Sequence, residues 1–337
     1  MGNLRIKDLD IAKGLGMIFI VWGHAHGLFA GQFLLVSVGM FFLISGFLHN
    51  QNTSFKEFLT KKFYRLYLPF ICCNLFLPTL VLIKRCTLNL EIKQNIIYIL
   101  EIFLTFKKDG FLFGATWFLG SLFLISVIIK ALENIIKADK KYWIICLFII
   151  FLIFLSNSIF DFDHNTRRTI IGALFYFTGI MLKQNEQLVK KYLFKSWYVG
   201  LISTIIIVLC WNKVSLFNYD SFNILSLLLF IISTFTFYIC IVRISKFIES
   251  KLGKFSDFIA LVGKYSCSIL IWQFVFIEIF NAFLLYLNGI PITMVERFPH
   301  VICESGICIF LYFIFGLFGP LILTKFYKIC ILKLSKK

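Results

Sequence analysis

The chain has 337 residues, of which 60% are hydrophobic and 18% aromatic, with a mean hydropathy of +0.89. A soluble domain of that make-up could not cover its own surface with polar groups, so the chain reads as an all-α, polytopic transmembrane helical bundle. The formal charge of +17 would suit nucleic acid. The basic residues fall between the apolar runs, however, and form no basic face with interleaved aromatics, which speaks against that class.

The apolar runs define about ten spans: residues 11–29, 33–48, 66–83, 115–133, 142–160, 169–182, 197–212, 222–242, 265–287 and 301–324. Most approach the roughly 20 residues needed to cross hydrocarbon. The second and sixth are short, as expected of helices inside a bundle or beneath a thinned bilayer. With both termini cytoplasmic, twenty-four basic residues fall on inner segments and nine on outer ones, in keeping with the positive-inside bias. Residues 96–106 are apolar but few, and Glu101 interrupts them. That stretch reads as an interfacial or re-entrant helix on the outer face. The first apolar run reads as a retained span rather than a signal peptide. Residues 1–337 are expected to form a single membrane-embedded domain, with no separate soluble domain.

In the first span, Asp10, Lys13 and His24 interrupt an apolar stretch. Eleven positions at about 100° each return Lys13 and His24 to one face, and Asp10 lies about 40° away on the same stripe. His24 would sit about 16 Å deeper than Lys13. Ionisable residues at such depth need a partner or a wet cavity. His24 suits a general base, because an ordinary imidazole can take a proton from a hydroxyl near neutral pH. Lys13, a fixed cation near the cytoplasmic face, suits a phosphate. Two plainer readings stay open: a helix-end histidine bonded to a carbonyl, and a snorkelling lysine paired with Asp10 at i−3. His26 points about 200° away from His24, so the two cannot share a metal on a regular helix.

Further along, Ser45-Gly46 ends the second span and marks close helix packing or a local break. Arg65 precedes Pro69 on the same side as Lys13, and two cations at one mouth would hold a nucleotide or pyrophosphate. Trp117 opens the fourth span as an interfacial anchor or a stacking platform for a sugar. The polar outer turn at residues 161–168 reads as a solvated loop. Gln273 and Glu278 lie within the apolar ninth span, and Glu278 is the stronger candidate because a buried carboxylate must be paired or protonated. The ten cysteines show no CxxC or Cys/His spacing, so they read as small buried hydrophobes and no metal is expected.

These residues resemble the integral-membrane acyltransferase-3 family, in its fucose 4-O-acetylase-like branch. The resemblance rests on Asp10 to Gly14 with His24, on Phe41-Phe42-Leu43-Ile44-Ser45-Gly46-Phe47 and on Arg65-Leu66-Tyr67-Leu68-Pro69. Trp117-Phe118-Leu119 and Gly263-Lys264-Tyr265-Ser266-Cys267-Ser268-Ile269 complete it. It implies an O-acetyltransferase of the bacterial cytoplasmic membrane. The enzyme would move an acetyl group from acetyl-CoA to a hydroxyl of a surface polysaccharide or lipid-linked sugar.

On this reading His24 with Asp10 is catalytic, and Lys13 and Arg65 bind the CoA phosphates. Trp117, Glu278 and Ser45 contact the acceptor. Transfer is direct or passes through an acetyl-histidine, without a metal. Relatives commonly carry a second histidine where this chain has Gln273, which cannot shuttle a proton. The rival class is an exporter of polysaccharide or lipid-linked sugar, although no inverted repeat is visible. A polysaccharide polymerase is a third reading, disfavoured by the short outer loops.

Overall fold

The computed structural model describes residues 7–75, 114–136, 141–158, 164–214, 224–291 and 301–334. The stretch at 96–106 and residues 161–163 of the 161–168 turn lie outside them. Every regular element among the described residues is helical. The longer helices are α1 Lys7–His24, α2 Ala30–Phe47, α3 Phe55–Lys62, α4 Trp117–Ile135, α5 Lys141–Ser158 and α6 His164–Gln184. They continue with α7 Trp197–Val214, α8 Ile224–Lys251, α9 Gly253–Lys264, α10 Ser266–Leu287 and α11 Gly306–Leu334.

Among the described helices, five are long and apolar enough to cross a membrane: Ala30–Phe47, Gly114–Ile135, Leu225–Lys251, Ser266–Leu287 and Gly306–Ile329. A sixth crossing would combine Glu186–Leu193 with Trp197–Cys210, which meet at 78°. Several span readings change. The second span is not short, because α2 begins at Ala30 and its 18 residues are long enough to cross. The sixth span is not short, because α6 has 21 residues and takes in His164 to Arg168 as its first turn. The first helix stops at His24 rather than at 29, and the last begins at Gly306 rather than at 301.

The chain clusters into two compact units. One comprises Met1–Phe41, Gln187–Phe217 and Asn223–Lys337; the other comprises Phe42–Glu186 and Asn218–Phe222.

In the first unit, α1 packs against α8, α9, α10 and α11. Its residues Ile11, Ala12, Met17, Ile20 and Val21 are buried. Asp8 and Asp10 in its first turn complement the positive end of the helix dipole. The helix ends in a Schellman turn: Gly27 N–H donates to Trp22 O, and His26 N–H donates to Gly23 O. His26 occupies the left-handed position of that turn, φ 57°, where glycine is usual. It does not continue the helix, so its direction differs from that of a regular continuation.

The closest helix crossing in this unit is made through glycines. A Cβ on Gly263 would lie 1.8 Å from Asp10 O, and one on Gly14 would lie 2.1 Å from Ile259 O. Only small residues allow two backbones to approach this closely. Gly263→Ala is expected to push α1 and α9 apart, at a cost of about 1–3 kcal/mol. Gly253→Ala is the control, because its Cβ would meet nothing within 4 Å. Thermal unfolding in detergent should show a lowered midpoint for the first variant and little change for the second.

In the second unit, α2 and α6 cross through Gly46, whose Cβ would lie 1.8 Å from Tyr176 O. A Cβ on Gly179 would lie 2.1 Å from Leu43 O. Ser45-Gly46 therefore serves packing, and α2 runs unbroken through it. Ser54 caps α3 by accepting from Glu57 N–H at 3.3 Å, and Glu57 pairs with Lys61 one turn on. Phe63–Tyr67 then form a π-helical turn, with Leu68 N–H donating to Phe63 O. Pro69 follows without an N–H, and the widened turn accommodates it.

Candidate active site

His24 sits in the last turn of α1, half-buried, and its Nδ1 lies 3.2 Å from Gln273 Oε1 on α10. The ring of Phe274 covers one side of the imidazole, with centroids 4.7 Å apart. Gln273 is fully buried, and its Nε2 donates to Leu270 O at 3.4 Å. An amide oxygen only accepts, so the imidazole proton sits on Nδ1 and the lone pair on Nε2. His24 does stand at the helix end, and its ring reaches a buried side-chain amide 249 residues away in the sequence.

Lys13 forms an ion pair with Asp10 at 2.6 Å, and its side chain is 18% exposed. Asp10 itself is buried. The i−3 pairing foreseen as the plainer reading of Lys13 is what the structure contains. One turn earlier, Lys7 reaches Asp257 of α9 at 2.7 Å.

Beyond His24, His26 faces Glu304 at 3.5 Å. Glu304 belongs to a short segment tied by a disulfide between Cys303 and Cys308. Those two cysteines are therefore covalently paired, not the apolar fillers expected, and Cys72 is exposed. Ser305 caps α11 by accepting from Cys308 N–H at 3.3 Å.

Glu278 is buried on α10, about a turn and a half beyond Gln273. It accepts from Asn281 Nδ2 at 2.8 Å, and Asn281 Oδ1 accepts from Tyr312 OH. Tyr312 OH in turn accepts from Ile302 N–H at 3.3 Å. This chain of bonds anchors the disulfide-tied segment to the buried carboxylate.

The remaining candidates lie in the second unit. Trp117 is buried, and the Arg168 guanidinium lies 5.2 Å from its ring centroid. A sugar could stack on that face only by displacing the cation. Arg65 is exposed within the π-helical turn, and Ser45 is half-buried beside Gly46. Desolvation lowers the pKa of nearby Lys62 to about 8, and the charge of Arg65 adds to that effect.

Sequence reasoning missed a buried network in this unit. His49 Nε2 donates to Glu133 Oε2 at 3.1 Å, and Tyr176 OH donates to His49 Nδ1 at 2.7 Å. Lys130 donates to Gln51 O at 2.7 Å and lies 3.8 Å from Glu133 Oε2. His49 is enclosed, Lys130 is 2% exposed and Glu133 5%. Glu133 Oε1 has no hydrogen-bond partner among the described residues. Lys130 is a buried partner of Glu133. The i,i+3 pair Lys130/Glu133 inside an apolar helix was the available signal.

Among the described residues, no group of three or more His, Cys, Asp or Glu side chains is placed to hold a metal. No curated protein and no solved structure shows a significant match to the chain. The model of an acyltransferase domain, the acyltransferase-3 family, matches residues 6–325. The apolar helices and this match together make the chain a multi-pass membrane protein. Because the match covers nearly the whole sequence, the chain belongs to the acyltransferase-3 family.

Proposed function

We propose that the protein is a membrane O-acetyltransferase of the fucose 4-O-acetylase-like branch, residing in a bacterial cytoplasmic membrane. It takes an acetyl group from acetyl-CoA and transfers it to a hydroxyl of a surface polysaccharide or lipid-linked sugar. The observation that carries the reading, beside family membership, is His24: an imidazole inside a helix cluster, with its ring orientation held by Gln273.

His24 Nε2 accepts the acceptor hydroxyl proton as that oxygen attacks the thioester carbonyl. The C–S bond then breaks, and the imidazolium returns the proton to the thiolate, giving CoA and the acetyl ester. Lys13 offers its ammonium to a CoA phosphate, with Asp10 orienting it from 2.6 Å. Glu278 offers a buried acceptor for a sugar hydroxyl. The Cys303–Cys308 disulfide supports an extracytoplasmic position for its segment, since disulfides persist in oxidising compartments.

Lys13→Gln keeps a hydrogen bond to Asp10 but removes the cation. With radiolabelled acetyl-CoA and host membrane vesicles carrying the endogenous glycan, its KM for acetyl-CoA is expected to rise about tenfold or more, the loss of one charged hydrogen bond. Transfer at saturating donor should persist. Unchanged donor KM would defeat the assignment of Lys13. Absence of acetyl transfer by the native protein, with glycan missing from the surface of a deletion strain, would instead indicate an exporter.

A further inference from the structure

We propose that Gln273 is a positioning residue for His24, a neutral partner that fixes the reactive tautomer without supplying a counter-charge; the inference rests on the acyl-transfer reading above. The amide has only one orientation that suits both of its neighbours. Its Nε2 donates to the Leu270 carbonyl, so its oxygen faces Nδ1–H of His24. Turned over, it would set its oxygen against the Leu270 carbonyl oxygen and lose that bond. Full burial of Gln273 and the Phe274 ring beside the imidazole restrict the swing of both side chains.

In a hydroxyl–imidazole–carboxylate triad, the carboxylate holds the tautomer and also stabilises the imidazolium. Gln273 does only the first. The imidazolium formed when Nε2 takes the acceptor proton gains no charge partner from Gln273, which favours handing that proton on to the departing thiolate. Several charged groups on α1 and around it are engaged with other partners. Asp257 takes Lys7, Asp10 holds Lys13, Glu304 faces His26, and Glu278 accepts from Asn281. Arg243 of α8 donates to Leu193 O and Ser196 O, and Lys328 of α11 donates to Tyr265 OH.

Two variants test the assignment in vesicles from a deletion strain, with radiolabelled acetyl-CoA and the endogenous glycan as acceptor. Gln273→Met keeps the volume and removes the acceptor. It is expected to lower kcat by about ten- to a hundredfold, as loss of an orienting partner does at histidine sites, with the acetyl-CoA KM unchanged. Gln273→Glu keeps an acceptor in place and adds a charge. It should retain transfer while moving the acid limb of the pH–rate profile upward by about one pH unit or more, since a carboxylate favours the imidazolium.

A Gln273→Met enzyme with native kcat, or a Gln273→Glu enzyme with a native pH profile, overturns the proposal. If Gln273→Met fails to elute as a folded species, the Gln273→Glu profile decides alone. Undiminished transfer by a His24→Ala variant would overturn the underlying general-base reading instead. The two failures are therefore separable.

Discussion

His24→Ala is expected to lower acetyl transfer by about a hundred- to ten-thousandfold, the span that a positioned general base contributes. A sugar hydroxyl is a weak nucleophile until its proton is removed in the transition state, and the deleted imidazole is the group proposed to take it. The effect should fall on kcat and leave the acetyl-CoA KM nearly unchanged, because the proposed donor cation, Lys13, lies about 16 Å away along α1. Folding should survive the change. The Schellman turn that ends α1 is made by backbone groups of Trp22, Gly23, His26 and Gly27, and needs no His24 side chain. Mass spectrometry of the surface glycan in a complemented deletion strain gives the readout. Native acetylation with His24→Ala would remove His24 from the chemistry.

Glu133→Ala is expected to be the most destabilising single change in the second unit, at about 3–5 kcal/mol. It strands the buried Lys130 ammonium and takes away the acceptor of His49 Nε2–H. Pairing it with Lys130→Met should recover much of the loss, since an apolar replacement of both members of a buried pair is often neutral. Thermal unfolding of the single and double variants in detergent measures the coupling directly. A double variant no more stable than Glu133→Ala alone would mean that Lys130 is held by Gln51 O and not by Glu133.

What could be read from the sequence was whatever breaks a local pattern. Asp10, Lys13 and His24 stand out because charge and imidazole interrupt an apolar helix, and their i,i+3 and i,i+11 spacings depend on helix geometry alone. Glu278 stands out for the same reason and is buried as expected of such a carboxylate. His49 carried no such mark. It directly follows a span, where a polar residue is ordinary, and its partners Glu133 and Tyr176 lie 84 and 127 residues away. The Cys303–Cys308 pairing was lost for a related reason: spacing alone does not separate bonded thiols from buried ones. Gln273 was read as the absence of a histidine. Its use became visible only when α10 was placed against α1, because an amide shows its role through what it faces.

The packing of α1 also dictates an order of assembly. Lys7 and Asp257 are separated by 250 residues, and His24 and Gln273 by 249. During synthesis from the N-terminus, α1 therefore leaves the ribosome long before α9 and α10 exist to receive it. It must wait, with the Lys7 ammonium and the His24 imidazole lacking those partners, until the last third of the chain has been made. Such long-range closure is slow and leaves the waiting helix exposed to misassembly. The helix that carries His24 is made before α9 and α10 and is seated only after them, so a nascent chain cannot bring His24 against Gln273 before α10 arrives.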